Sequence, residues 1–289
     1  MKYMTFPSSC AFAGVANLLA SAGVDASDRE IALGMGLPYL FAKSEQGGYL
    51  SGPMMQTGEL FDLFLRPRGF HLTEQRATPS AVPGLLAHHA PAMVGLRLDA
   101  DRKHAVIYTG RDGDGRYRLL NNKREDAPDC DRFLFTEEEF LARLDTPVTV
   151  GWLEVVPCAD VALLPHLTVS IQVFQEMRDE LRTFCGAAHT WAELRQARDP
   201  LFRPLLLDGV SMANLLGESA LEESLRTLQS EFLAALRRGQ AVAAGEVLPM
   251  PKLEEAMEAY FRLLVEKRET LRPGMEKQTI KSEWNGGSL

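Results

Sequence analysis

Apolar residues recur at helical spacing in the opening stretch of the chain, between Pro7 and Gly23. A helix puts positions with this spacing on one face, and here they are Ala11, Val15, Leu18, Leu19 and Ala22. Ser8 and Ser9 are residues that favour a helix N-cap, and glycine favours the position just after the last turn. The pattern therefore predicts a buried amphipathic helix with Cys10 in its first turn.

More helices are expected before residue 91. Ser27 predicts the cap of a second helix, because Asp28 and Glu30 suit its first turn. That helix is expected to end at Gly34 and Gly36, where the GMG turn either lets the backbone approach a ligand or forms a tight loop. The remaining elements are a glycine-rich surface loop over Ser44–Gly58, helices over Thr57–Arg66 and Pro79–Ala90, and a short strand around His71.

From Pro91 the hydrophobic period changes from 3.6 residues to two, which indicates strands. The candidates are PAMVGLRLD, KHAVIYTGR and GRYRLLNN, and the letters RDGDG predict a hairpin turn between the last two. A helix is expected to begin near Thr136 and a further strand near Thr146. The first half is thus expected to place helices before an antiparallel sheet.

Beyond Pro157 the strand pattern ends and helical periods take over. Helices are expected over Val161–Phe184 with a break at Pro165, Trp191–Arg198, Leu201–Leu216, Ser219–Arg238 and Lys252–Leu271. Gly239–Pro251 is expected to be a mobile connection, and Trp284 is expected to dock a polar tail. The fold class is therefore expected to be α+β, with one domain over residues 1–157 and an all-helical domain over residues 158–289.

The composition is that of a globular protein rather than a nucleic-acid or membrane protein. The 289 residues are 46% hydrophobic and carry a net charge of −8, without a basic half that could form a nucleic-acid footprint. Apolar runs stay well short of the roughly 20 residues that a membrane span needs, and the first residues lack the apolar segment of a secretory signal. We therefore expect a cytoplasmic protein.

The four cysteines indicate neither a metal site nor a disulfide framework. They are far apart, at Cys10, Cys130, Cys158 and Cys185, and no CxxC pair occurs. The six histidines include no HExxH sequence. We expect no metal and no other cofactor.

Cys10 is a candidate nucleophile because of its place at the head of the predicted helix. Backbone N–H groups without helical partners and the positive end of the helix dipole favour a thiolate over a thiol there. The alternative is that Cys10 is a small apolar residue packed under the helix start.

His104 begins a predicted buried strand, and Asn121 and Asn122 end the next one. The hairpin register can bring one of the two asparagines level with His104. Cysteine, histidine and an amide in this chain order would provide a nucleophile, a base and a group that orients the base. Alternatively, His104 only caps the edge of the sheet.

These pieces resemble a known group of enzymes. A helix led by a cysteine, a histidine at the start of a strand and Asp or Asn at the end of the next is the layout of papain-like cysteine enzymes, and it is similar to their C39-like peptidases. SSCAFAGVANLLASAG and ALGMGLPYLF resemble, more closely, the butirosin-biosynthesis BtrH N-terminal family. The resemblance implies acyl transfer from a carrier-protein thioester to an amine, with Cys10 as nucleophile, His104 as general base and Asn121 as orienter. It also matches Gly34 and Gly36 to a glycine-rich family segment.

The sequence departs from the peptidase pattern around Cys10. MKYMTFPSSC holds no glutamine that could serve as an oxyanion donor, and Ala11 follows the cysteine where glycine is common. The Cys10 N–H and a hydroxyl of Ser8 or Ser9 are the expected replacements. Since a thioester has a good leaving group, it needs less help than an amide, and acyl transfer is favoured over proteolysis.

Two other functions stay open at this point: a C39-like peptidase or amidase, and a catalytically silent papain-like fold that binds a partner or peptide. The expected partners are an acyl carrier protein or another thioester donor and an amine or peptide substrate. A second copy of the chain is an alternative partner for the helical half. A basic patch for an acidic carrier is expected from Arg102, Lys103, Lys123 and Arg124.

Overall fold

The computed structural model describes residues 1–97, 103–123, 132–238, 242–243 and 248–284, with side chains in the last range as far as residue 272. The chain forms two compact units, Met1–Met35 with Gln56–Val161 and Gly36–Met55 with Ala162–Leu289. The protein is a mixed helix and sheet structure with antiparallel sheets and a helical C-terminal region. The segment Gly36–Met55 groups with the C-terminal helices, whereas a division between residues 157 and 158 assigns it to the first domain.

The first unit contains five α-helices and six strands within its described residues. The helices are α1 (Cys10–Ser21), α2 (Asp28–Gly34), α3 (Gly58–Leu65), α4 (Val82–His88) and α5 (Glu137–Leu141), with 3₁₀ turns at Arg66–Arg68 and Pro79–Ala81. The strands are β3 (Phe70–Ala77), β4 (Ala92–Arg97), β5 (Lys103–Arg111), β6 (Tyr117–Asn121), β7 (Arg132–Phe135) and β8 (Val148–Val155), numbered after two strands of the second unit.

The six strands form one antiparallel sheet in the order β3-β8-β4-β5-β6-β7. The predicted hairpin joins β5 to β6, and the carboxylate of Asp112 accepts the backbone N–H groups of Asp114 and Arg116 within its turn. Such side-chain bonds to nearby backbone stabilise tight turns. The strand β7 was not expected from the sequence pattern.

The two faces of this sheet are covered by different helices. One face carries a core that includes Val94, Leu96 and Val106, packed against Val82 of α4 and Phe140 of α5. The other face carries α1. The two lie so close that a Cβ added at Gly14, in the middle of α1, would overlap the sulfur of Met93 on β4. Glycine at position 14 therefore lets α1 lie close to the sheet.

The second unit is mainly helical. Its elements are β1 (Phe41–Lys43), β2 (Tyr49–Ser51), α6 (Leu163–Cys185), β9 (Ala188–His189), α7 (Trp191–Ala197), a π-helix (Arg198–Leu207), α8 (Asp208–Leu216), α9 (Ser219–Arg238), β10 (Val242–Ala243) and α10 (Met250–Trp284), with 3₁₀ turns at Leu37–Tyr39 and Gly52–Met54. The strands β1 and β2 pair with each other, as do β9 and β10. Within the described residues of both units, we find no helix with the length and apolar character that a membrane crossing demands.

Aromatic packing explains why Gly36–Met55 belongs to this unit. Phe41 of β1 lies edge-on against Phe174 of α6 and Tyr260 of α10, with ring centroids 4.9 and 5.5 Å away. The hydroxyl of Tyr260 donates a hydrogen bond of 2.7 Å to the carbonyl of Pro38, and the backbone N–H of Phe41 donates to the Ser170 hydroxyl at 2.9 Å. The hairpin thus supplies core side chains that the helices need.

Two prolines act differently from the sequence expectation. Pro165 lies in the first turn of α6 and does not break it, because a first-turn residue needs no N–H for the helix ladder. Pro204 lies inside the π-helix, so the expected single helix over Leu201–Leu216 is π-helical as far as Leu207. The α geometry begins at Asp208. Most of the expected mobile connection lies outside the described residues, and the backbone of α10 continues to Trp284.

Candidate functional site

Cys10 is the first residue of α1, and its side chain is partly exposed. Ser9 occupies the N-cap position, and its carbonyl accepts the N–H of Ala13 at 2.9 Å, but its hydroxyl does not cap the helix. The N–H groups in the first turn of any α-helix lack partners within that helix. The head of α1 can therefore stabilise negative charge on a group placed beside it.

Asp28 anchors the segment that leads into Cys10. Its carboxylate is completely buried and accepts the backbone N–H and the hydroxyl of Thr5, both at 2.7 Å. It also accepts the hydroxyl of Ser9 at 2.8 Å. The single hydroxyl proton of Ser9 therefore points to Asp28, and this bond fixes the chain before the helix. The role of the Ser9 hydroxyl as an oxyanion donor stays a prediction.

Ser8 is held in an unusual backbone conformation two residues before the thiol. Its φ is 61°, in the left-handed region that residues other than glycine seldom occupy. The side-chain amide of Gln56 donates a hydrogen bond of 3.0 Å to its carbonyl. Gln56 therefore helps to hold the bend that turns the chain into α1.

Asn122 joins the head of α1 to the end of β6. Its side chain is completely buried, and its amide nitrogen donates a hydrogen bond of 2.8 Å to the carbonyl of Cys10. Its own backbone carbonyl accepts the backbone N–H of Met4 at 3.0 Å. Asn122 is thus a positioning residue for the N-terminal segment and the first turn of α1.

His104 and Asn121 share one face of the sheet, and both are buried. Asn121 pairs with Val106 across the hairpin, and Leu96 pairs with His104 across the neighbouring strands. Alternate residues of a strand lie on the same face, so His104 lies on the same face as Val106. Between the two asparagines of the sequence prediction, Asn121 is therefore the one that shares a face with His104.

Lys103 and Ala105 lie on the opposite face, beside α1. Together with Ala11 they line a groove over the sheet, whereas His104 stands between them in the chain and turns to the face that carries Leu96. The structure thus places Ala11, the residue after Cys10, on the side of Lys103 and Ala105, whereas His104 and Asn121 share the other face. His104 is the second residue of β5 and so lies at the N-terminal end of the strand.

The groove beside Ala11 has a volume of about 270 Å³. Small residues of β4, β5 and β8 form its floor, and these are Gly95, Ala105 and Gly151. No heavy atom of the described residues lies within 4 Å of a Cβ placed on Gly95, so the space above this glycine is open. The glycines on the floor therefore create room for a ligand next to the head of α1.

Charged groups stand at both ends of the groove. At β3, partial burial raises the pKa of Glu74, while the N–H of Gly58, donating at 2.8 Å, opposes the rise. At β5, Lys103 and Arg97 both contact Asp145, and these two cations hold the pKa of Asp145 below its ordinary value. Three strand spacings, roughly 14 Å, separate β3 from β5.

Gly34 and Gly36 have packing roles in the structure. A Cβ at Gly34 would overlap the ring of Phe64, and a Cβ at Gly36 would overlap Leu163. Gly36 also has a φ of 72°, which glycine adopts without strain. Neither glycine is among the described residues that line the groove. A role of Gly34 and Gly36 in binding a ligand stays a prediction.

Several other candidate side chains lie outside the described residues. Arg102, Arg124 and Cys130 lie outside them, so the basic patch is described only at Lys103 and Lys123. Within the described residues, no cluster of His, Cys, Asp and Glu could hold a metal ion. Cys185 is buried, which raises the pKa of its thiol to about 11, and Cys158 is exposed.

Sequence reasoning missed Asp28, Gln56 and Glu74 as parts of this region. Asp28 has the signature of a first-turn helix residue, and its bonds to Thr5 and Ser9 depend on how the N-terminal segment folds back. Gln56 and Glu74 reach the groove from distant parts of the chain. No local pattern in the sequence announces such contacts.

The chain matches no protein-family model, and a search of curated proteins finds no match either. The site therefore has to be interpreted from its own geometry.

Proposed function

We propose that this protein is a cysteine-dependent acyltransferase with a papain-like first unit. In the first step the Cys10 thiol loses its proton to His104, and its sulfur attacks a thioester carbonyl. A new C–S bond forms, the donor's C–S bond breaks, and the donor thiol leaves with a proton from His104. In the second step an amine attacks the acyl-Cys10, a C–N bond forms, and Cys10 leaves while His104 takes up the amine proton.

The observation that carries this proposal is the partly exposed thiol of Cys10 at the first residue of α1, directly before Ala11, which lines an open groove. The head of a helix favours the thiolate, and the groove offers space for an acyl chain. The resemblance to the BtrH N-terminal family, carried by SSCAFAGVANLLASAG, adds the acyl carrier protein as thioester donor and an amine as acceptor. Asn121 is the proposed orienter of His104, since the two share a face.

A second candidate, a catalytically silent fold that binds a partner or peptide, is favoured by a specific observation. Lys103 and Ala105 face the groove beside α1, and His104 lies in the row that contains Leu96 and Val106. For acyl transfer, the His104 imidazole must therefore reach the Cys10 sulfur past the N-terminal end of β5, because the groove lies on the other face of the sheet. The meeting of Cys10 with His104 stays a prediction.

Mass spectrometry of the full chain incubated with an acyl N-acetylcysteamine thioester tests the proposal. We expect one acyl adduct, located on Cys10, which is lost in Cys10→Ser and discharged when an amine is added. Cys158→Ser is the matched control, because Cys158 is an exposed thiol outside the groove.

Two outcomes contradict the proposal. One is the consumption of thioester and amine while Cys10 stays unmodified. The other is an adduct that forms at the same rate in His104→Ala, which would favour the silent fold with an ordinary surface thiol. Discharge of the adduct by water alone would instead identify a hydrolase.

A further inference from the structure

A second cavity lies within the unit formed by Gly36–Met55 and Ala162–Leu289. It has a volume of about 250 Å³ and lies between the β1–β2 hairpin region and the π-helix. The hydroxyl of Ser51 donates a hydrogen bond of 3.0 Å to the carbonyl of Pro204, which ties the two walls together. Gly48, with a φ of 82°, lies so close to Pro200 that any Cβ would overlap the Pro200 backbone. The walls are therefore pinned, and the cavity is built into the fold.

Asp208 is a buried carboxylate in the wall of this cavity. Its side chain is 9% exposed, and its two oxygens lie 3.5 and 3.4 Å from Nε of Arg203, the long limit of a hydrogen bond. No other hydrogen bond to its side chain occurs among the described residues. Buried carboxylates are normally well hydrogen-bonded, because loss of water is costly. Asp208 therefore has capacity for another donor on the cavity side.

Among the charged residues that line the cavity, two are acidic, Asp199 and Asp208, and one is basic, Arg203. Arg198, which is not one of the lining residues, pairs with Asp199 at a distance of 3.8 Å from its Nε atom. Burial raises the pKa of Asp208 to about 6, Arg203 opposes this, and the charge of Asp199 adds to the rise. The two carboxylates thus repel each other, and a further cation between them would relieve the repulsion.

An aromatic wall completes the site. Tyr49 lines the cavity, and its hydroxyl is directed away to Glu180, to which it donates a hydrogen bond of 2.8 Å. A tyrosine ring attracts a cation placed over its face. Carboxylates and an aromatic ring are together the surroundings that an ammonium group prefers.

We propose that this cavity binds a small cationic amine, whose ammonium group donates to Asp208 and lies near Asp199 and Tyr49. The volume corresponds to about eight water-sized portions of space, which limits the ligand to a small molecule. The proposal is independent of the chemistry of Cys10, so a Cys10→Ala protein should bind the amine equally well.

Ligand-detected NMR on the full chain, with n-butylamine as the probe and n-butanol as its neutral match, tests this site. At pH 7.5 and low salt we expect butylamine to bind and butanol to bind about tenfold more weakly or not at all. Asp208→Asn should weaken butylamine binding about tenfold, and Asp199→Asn should weaken it several-fold because Asp199 is more exposed.

Asp160→Asn, at an exposed position outside the cavity, is the matched control and should leave binding unchanged. If Asp208→Asn does not fold, Asp199→Asn still decides the question. The proposal is overturned if butanol binds as well as butylamine, if butylamine does not bind at any concentration tested, or if its affinity is the same in the Asp199 variant and the wild type.

Discussion

The side-chain amide of Asn122 donates a hydrogen bond of 2.8 Å to the backbone carbonyl of Cys10. This bond joins the end of β6 to the first residue of α1, where the proposed nucleophile lies. The Asn122 side chain is completely buried, so water cannot easily replace the donor. The position of the first turn of α1 therefore depends on Asn122, which is predicted from the sequence as an oxyanion or binding residue and as the alternative to Asn121.

Asn122→Ala should lower the free energy of unfolding by about 1–3 kcal/mol, because it removes the side-chain hydrogen bond to the Cys10 carbonyl and truncates a completely buried side chain. It should also change the rate at which iodoacetamide labels Cys10. Urea denaturation and labelling kinetics measure the two effects. Ser21→Ala, which removes a hydroxyl bond at the other end of α1, is the control and should stay within about 0.5 kcal/mol of the wild type. Equal stability of both variants would contradict the anchoring role.

Asp28→Asn should destabilise the protein by about 3 kcal/mol, since an amide cannot accept all the donors that the carboxylate accepts from Thr5 and Ser9. Limited proteolysis should then cut within the first residues of the chain. Asp25→Asn is the control, because Asp25 is 88% exposed in its ion pair with Lys2. If the two variants unfold at the same urea concentration, Asp28 does not organise this segment.

Gly95→Leu should fill the groove without disturbing the sheet. The space above Gly95 is open, and replacing glycine restricts the unfolded chain, so the unfolding free energy should not fall. Acylation of Cys10 by a long-chain thioester should slow about tenfold or more, while acetylation should change little. Gly84→Ala, at an open site on α4, is the control. Equal slowing for long and short acyl groups would mean that the groove does not hold the acyl chain.

The titration of Asp208 should lower the free energy of unfolding as the pH rises from about 4 to about 7. Burial raises the pKa of Asp208 from 3.8 to about 6, so the folded protein holds this proton more tightly than the unfolded chain does. The contribution to stability is complete below the unfolded pKa and is lost as the pH passes the folded pKa, a change of about 3 kcal/mol.

The amide introduced by Asp208→Asn does not titrate, so the stability of the wild type minus that of this variant should decrease over the same pH range. Urea denaturation at pH 4 and pH 7 measures the difference. Asp199→Asn should instead follow the wild type. A difference that is constant or grows with pH would show that Asp208 is charged throughout.

Local patterns predicted the elements that local forces determine. Ser27 and Glu30 form both bonds of a capping box at α2, and RDGDG forms the hairpin turn, because each depends on residues only a few positions apart. The sheet order was beyond local reasoning. β3 pairs with β8, so that Thr73 stands opposite Trp152, and only the complete core selects that partner.

The candidate site was predicted in part for the same reason. The head of α1 could be placed from its serines and apolar spacing, but the face that carries His104 depends on the register between β4 and β5. A shift of one residue would exchange His104 with Ala105 at the groove. Gln56 and Glu74 reach the groove through tertiary contacts that no periodicity encodes.

The hairpin drawn from Gly36–Met55 has a consequence for how the helical unit can be obtained. A fragment that starts at residue 158 lacks Phe41 and the Pro38 carbonyl, so Phe174 and Tyr260 would lose the neighbours that cover them. During synthesis the hairpin leaves the ribosome more than a hundred residues before α6. The hairpin therefore cannot pack against its helices until they have been synthesised. Dissecting this protein at a single peptide bond therefore leaves two incomplete pieces rather than two domains.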